Sequence, residues 1–135
     1  MPPVVPEDFL DSAEEISEGR REIDYRNAVS RAYYAAYHAC KTLAGPPPRR
    51  SNRSTGAHDW LVSELKEWPR SDETFLQFRQ IGTLLEIAKD QRRDADYRLD
   101  QEFSAVQYEE AVKHVRNILQ RLTKVAHAGS GSAGT

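Results

Sequence analysis

The chain has 135 residues and a formal net charge of −2, with a pI near 6.1; this is the length of one domain, too short for two cores, and the charge balance excludes a bulk electrostatic nucleic-acid binder while leaving a local site open. Hydrophobic residues make up 39% and charged residues 30%, the balance of a helical domain with polar outer faces. A single cysteine, Cys40, excludes an intrachain disulfide and fits a reducing compartment. No apolar run nears the roughly 18 residues of a membrane helix, and Met1-Pro2-Pro3-Val4-Val5-Pro6 lacks the pattern of a signal peptide, so no membrane partner and a cytoplasmic location are expected.

Residues 1–6 hold three prolines and are expected to form an extended lead-in. Pro6 suits the first turn of a helix, and Glu7 and Asp8 suit its positive end. That helix is expected to reach about Ser17, with Phe9, Leu10, Ala13 and Ile16 turned inward and Gly19 placed to end it. Asp24 is placed to cap a second helix that continues to about Ala44, where Gly45-Pro46-Pro47-Pro48 stops it. Residues 45–56 read as a loop in which Arg49, Arg50 and Arg53 occur with no acid; such a loop is either simply solvated or able to steer a polyanion.

A short third helix carries Trp60, Leu61, Leu65 and Trp68 and ends at Pro69; His58 near its start reads first as a surface residue and second as a further polar contact. The fourth helix starts after Ser71 or Asp72 and places Phe75, Phe78, Ile81, Leu85, Ala88, Arg92 and Ala95 at steps of three and four. The fifth opens with Ser104 and Gln107, a reciprocal capping pair, and sets Tyr108, Ala111, Val115, Ile118, Leu122 and Val125 in a heptad. Residues 128–135, rich in Gly and Ser, have nothing to bury and are expected to be a disordered tail or linker, so that the domain spans residues 7–127. With no strand pattern, the expected fold class is all-α, an up-and-down bundle of about five helices.

The second helix carries the chemistry. Projected at about 100° per residue, Asn27, Arg31, Tyr34 and His38 fall within roughly 60° of one another. On the other side Val29, Tyr33, Ala36, Tyr37, Cys40 and Leu43 make an apolar stripe about 120° wide, as a docked helix requires. Ala28 and Ala35 beside the polar stripe leave room for a second backbone or a second subunit. Arg31 is a forked, permanent cation suited to phosphate, and His38 titrates near neutrality and can move a proton. The same pair also fits a plainer role, an ion pair with a neighbouring helix and a partly buried histidine. The sequence has no Gly-rich phosphate loop, no HExxH and no paired Cys or His at metal spacing, so neither a metal nor a cofactor is expected. Any catalysis would be metal-free acid–base work.

The stretch Ala28-Val29-Ser30-Arg31-Ala32-Tyr33-Tyr34-Ala35-Ala36-Tyr37-His38-Ala39, with Ala57-His58 opening the next helix and Arg92-Arg93-Asp94-Ala95-Asp96-Tyr97 near the end of the fourth, resembles a HEPN domain (higher eukaryotes and prokaryotes nucleotide-binding) of the toxin–antitoxin branch. The resemblance implies a helical bundle that dimerises. In the catalytic branches it implies a metal-independent endoribonuclease whose motif is an Arg and a His with four to six residues between them, two copies meeting across the dimer. Arg31 and His38 have six between them. The resemblance also implies a toxin encoded beside a nucleotidyltransferase antitoxin, which in some cases adds a nucleotide to a tyrosine near the motif. The chain departs from the family's common Arg-Asn order, since Arg31 is followed by Ala32; Arg26-Asn27 has that order but lies too far from His38. Arg121 and His127 meet the spacing as well, yet sit about 120° apart on their helix.

Two functions are therefore expected to compete. In one, the chain is an RNase toxin with Arg31 and His38 catalytic, Asn27, Tyr34, Asp96 and Tyr97 in support, Arg49, Arg50 and Arg53 contacting RNA, and a homodimer as the working form. In the other, the same stripe makes a non-catalytic binding module for a nucleotidyltransferase partner or a nucleotide.

Overall fold

The computed structural model describes residues 3–44 and 56–134, with side chains through residue 126. It contains five helices and, among the described residues, no strand: α1 Pro6–Ser17, α2 Glu22–Ala44, α3 Ala57–Lys66, α4 Phe75–Tyr97 and α5 Ala105–Gly134. The all-α class and the helix count are as the sequence predicts. No helix is long and apolar enough to cross a membrane among the described residues. Helix α2 packs against all four of the others.

The helix starts follow local chemistry. At α1, Pro6 takes the first position, and the Asp8 carboxylate accepts the Val5 N–H at 2.9 Å. At α5, the Gln107 side-chain oxygen accepts the Ser104 N–H at 2.8 Å, one half of the expected reciprocal cap, while Ser104 Oγ accepts the N–H of Val106 at 3.3 Å rather than that of Gln107. Asp24 acts differently from the expectation. It sits in the first turn of α2 and takes the Arg21 N–H at 3.0 Å and a two-pronged grip from the Arg21 guanidinium at 2.9 and 3.0 Å. Those hydrogen bonds, side chain first, hold its carboxyl below the ordinary carboxylate range. The left-handed residue in this turn is Arg20, with φ 61°, and not Gly19; a Cβ at Gly19 would press on the Asp24 carboxylate and push it out of its grip on Arg21. Asp72 likewise serves the turn before α4, accepting the Thr74 N–H at 2.8 Å, and the helix itself opens at Phe75. Helix α5 continues to Gly134, past residue 127 where the sequence predicts a tail.

The core is built from the predicted faces. Leu10 and Ala13 of α1, Leu61 and Leu65 of α3, Phe78, Ile81 and Leu85 of α4, and Val115, Ile118 and Val125 of α5 are buried around the α2 residues Ala28, Ala32, Tyr33, Ala35, Ala36 and Cys40. Leu43, expected in the apolar stripe, is exposed near the end of α2. Ala28 and Ala35 are wholly buried by the chain's own helices, so they do not offer a second subunit a close approach. Gly82 performs that service between α3 and α4: a Cβ there would lie 2.8 Å from the Lys66 backbone nitrogen.

One buried cation ties the ends of two helices together. Arg26, only 3% exposed, donates from one nitrogen to the carbonyls of Asp94 and Ala95 at 3.2 and 3.0 Å and from another to those of Arg98 and Gln101 at 3.2 and 2.5 Å. Its Nε pairs with Glu22 at 3.1 Å, and its guanidinium lies 5.0 Å from the Phe103 ring. It thus caps the end of α4 and the turn after it, as a second donor to the Asp94 and Arg98 carbonyls, which also accept the Arg98 and Gln101 N–H groups. Arg26→Ala is expected to lower stability by about 3–5 kcal/mol, because it takes a donor from four carbonyls and empties a buried site beside Phe103, and Arg26→Lys to recover little, since a single ammonium cannot span the fork. Urea denaturation measures both; a loss below about 1 kcal/mol for the alanine variant would contradict this role.

Candidate functional site

Helix α2 sets Asn27, Ser30, Arg31, Tyr34 and His38 along one side, as its period requires. Asn27 and Arg31 are exposed, and Tyr34 and His38 are half-buried. Arg31 opens on a shallow depression of about 320 Å³ with Ile16, Asn27, Ser30 and Tyr34. His38 opens on a different one, about 540 Å³, with Val4, Val5, Pro6, Phe9, Lys41 and Thr42. Within one chain, therefore, Arg31 and His38 share a helix face but not a pocket, with Tyr34 between them.

Aromatic rings fix His38. Phe9 of α1 stacks on it at 5.0 Å and 24°, Tyr34 at 6.0 Å and 29°, and Tyr37 meets it edge-on at 5.2 Å. The polar stripe is thus partly roofed by α1, which the helical projection of α2 alone does not reveal.

Helix α4 supplies the far wall. Ser30 Oγ donates to Asp96 Oδ2 at 3.3 Å, and Arg92 Nε lies 2.8 Å from the same oxygen with its N–H off the line of a hydrogen bond, so the two pair as charges. The Arg92 guanidinium stands 5.9 Å over the Tyr34 ring and 5.7 Å over that of Tyr97. Asp96 and Tyr34 are thereby brought to one place. Tyr97 is 70% exposed and joins only through Arg92. Arg92 lies on the three–four face of α4, and its signal in the sequence is a cation in an otherwise apolar series. Arg49, Arg50 and Arg53 lie outside the described residues. Arg121 is engaged elsewhere, donating to Asn117 and Gln80 at 3.0 Å each.

His58 is the residue that sequence reasoning undervalued. It is no plain surface side chain: Nδ1 lies 2.7 Å from Tyr33 Oη, and its ring packs 4.1 Å from that of Tyr37. Tyr33 is buried, and burial raises its hydroxyl far above the ordinary range, so it remains neutral. Cys40 is a core residue, its thiol pushed up to about 12 by burial, which leaves it without nucleophilic character at neutral pH. Among the described residues, no three His, Cys, Asp or Glu side chains are grouped to hold a metal ion.

Both imidazoles are held below their ordinary value. For His38 the cause is burial, then the Lys41 charge. For His58 it is burial, then Arg92, with Lys89 and His38 acting in the same direction and Asp59 opposing. A folded-state value below the unfolded value of about 6.5 means that the unfolded chain takes up protons first, so this contribution to stability is complete above pH 6.5 and is lost as pH falls below it through the lower folded-state values. The urea midpoint is expected to drop between pH 7.5 and pH 5.5, and His58→Gln to flatten the drop. A midpoint that rises on acidification would contradict the two histidines' buried, neutral state.

No curated protein and no solved structure matches the chain. A family model does match, that of the HEPN domain, over residues 7–125, a span that runs from the first turn of α1 through α4 and ends at Val125, about two thirds of the way along α5, and that includes Arg31, His38, His58 and the Arg92–Asp96 pair. With its five-helix bundle and its polar stripe on α2, this chain belongs to the HEPN domain family.

Proposed function

We propose that this HEPN domain is the toxin of a toxin–antitoxin pair and acts in the cytoplasm as a metal-independent endoribonuclease. The observation that supports this most is the state of His38, neutral and packed against both Phe9 and Tyr34 on the same helix face as an exposed Arg31. A neutral imidazole accepts the proton of a ribose 2′-hydroxyl or, once protonated, returns one to the leaving oxygen. Arg31 offers a fork of donors to the phosphate as its negative charge grows. Asn27, Tyr34 and Asp96 position these groups, with Tyr97 at the rim, and Arg49, Arg50 and Arg53 are the proposed RNA contacts.

A nucleotidyltransferase is the proposed antitoxin partner, and its docking on the stripe without any cleavage is the second reading. The separation of Arg31 from His38 favours that second reading, since residues seven apart on a helix stand about 10 Å apart along its axis. A homodimer reconciles the first reading with the same fact, because a second copy facing the stripe supplies the missing half of each site.

If His38 transfers the proton, His38→Ala should lower turnover on RNA by about 10²-fold or more while RNA affinity stays nearly unchanged. Arg31→Lys keeps the charge but loses the fork, so it should reduce the rate and some of the binding, and added chelator should change neither. Full activity in the His38→Ala protein, or activity abolished by chelator and restored by a divalent ion, would leave the docking module as the better reading.

Light scattering at micromolar concentration is expected to give the mass of a dimer. A monomer with intact RNase activity would rule out a site shared between two copies.

A further inference from the structure

Three groups surround the Tyr34 ring at nearly one distance: His38 at 6.0 Å, His58 at 6.1 Å and the Arg92 guanidinium at 5.9 Å. They come from α2, α3 and α4, and only the first belongs to the Arg/His pair. His58 is also the better fixed of the two imidazoles, with Tyr37 against its ring at 4.1 Å and the Tyr33 hydroxyl 2.7 Å from Nδ1.

That hydroxyl decides where the His58 proton resides. A phenol has a single O–H to give and, in the interior, gives it. Among the described residues no second partner is within reach of Tyr33 Oη, so it donates to Nδ1. Nδ1 is then an acceptor, and the one N–H of the neutral ring is on Nε2. An Nε2–H held this way is a donor whose direction is set in advance, the arrangement by which a fixed imidazole binds an oxyanion at little reorganisation cost. The cations nearest the ring, Arg92 and Lys89 of α4, are each paired with a carboxylate, Arg92 with Asp96 and Lys89 with Asp59, so an anion here is met by hydrogen-bond donors rather than by a surplus of charge.

We infer that Tyr33 locks His58 as its Nε2–H tautomer and that this N–H, beside Arg92, donates a hydrogen bond to a phosphoryl oxygen of the bound nucleotide chain, so that the phosphate site extends from α2 onto α3 and α4. The choice of a phosphodiester as ligand rests on the nuclease reading; the tautomer and the anion-binding N–H do not. His58 is here a binding and positioning residue, and no proton leaves it.

The test uses the full-length 15N-labelled protein, with long-range proton–nitrogen spectra of the histidine rings and uridine 3′-monophosphate as the probe, compared with chloride at equal ionic strength. His58 is expected to show a protonated Nε2 and an unprotonated Nδ1, a mixed tautomer in Tyr33→Phe, and an Nε2–H resonance that moves when the nucleotide binds. Nucleotide affinity should fall roughly tenfold in His58→Ala, the value of a hydrogen bond to a charged group, with partial recovery in His58→Gln, whose amide retains a donor. An Nδ1–H tautomer in the unmodified protein, or nucleotide binding that leaves both the His58 resonances and the His58→Ala affinity unchanged, overturns the inference. If RNA is left uncut while the nucleotide still moves the His58 resonance, the nuclease reading falls and the subsite stands. If RNA is cut with the same KM and nucleotide affinity in His58→Ala, the subsite falls and the nuclease reading stands.

Discussion

The Arg26 guanidinium is the interaction on which the remaining arrangement depends. A buried cation is costly unless every donor finds a partner, and here the partners are backbone carbonyls at the end of α4 and in the turn after it. Because Arg26 stands one turn before Ser30 on α2, holding Asp94 and Ala95 over it also places Asp96 against Ser30 and Arg92 over Tyr34. The second, smaller core of Val29, Ala95, Phe103 and Ala111 closes beside this junction. A residue outside the candidate site thus sets the position of those on α4 that belong to it.

The site itself is assembled from four helices. Phe9 of α1 roofs His38, α2 carries the stripe, α3 contributes His58, and α4 brings Arg92 and Asp96. Its local character differs from the chain's net charge of −2: imidazoles and guanidiniums gather around tyrosine rings, and the nearby carboxylates of Asp59 and Asp96 are already paired with Lys89 and Arg92. Burial and neighbouring cations act in the same direction on both histidines, which keeps them neutral. Neutral imidazoles beside cations suit an anionic ligand that needs both hydrogen bonds and charge.

The small residues of α2 show why a helix face cannot be interpreted alone. Ala28 and Ala35 border the polar stripe and would admit a second subunit if nothing else came near, but the chain's own helices consume that space. A second copy that met this face would contact the exposed line of Asn27 and Arg31 and the shallow depressions beside it.

What the sequence determined by itself was local and periodic. Pro6 and Asp8, the Ser104–Gln107 pair and the three–four spacing of α4 and α5 indicate helix starts and inward faces because capping and the 3.6-residue period involve neighbours a turn or two away. The run from Arg31 to His38 likewise pointed to the family and to the polar face. Only the tertiary structure decided the rest. Arg26 as a buried fork, His58 on Tyr33, Arg92 over Tyr34, and Gly82 against α3 all depend on partners in other helices. A polar residue that will be buried against a distant carbonyl has the same local signature as one that will face water, and which helix faces meet is settled by the packing of the whole bundle.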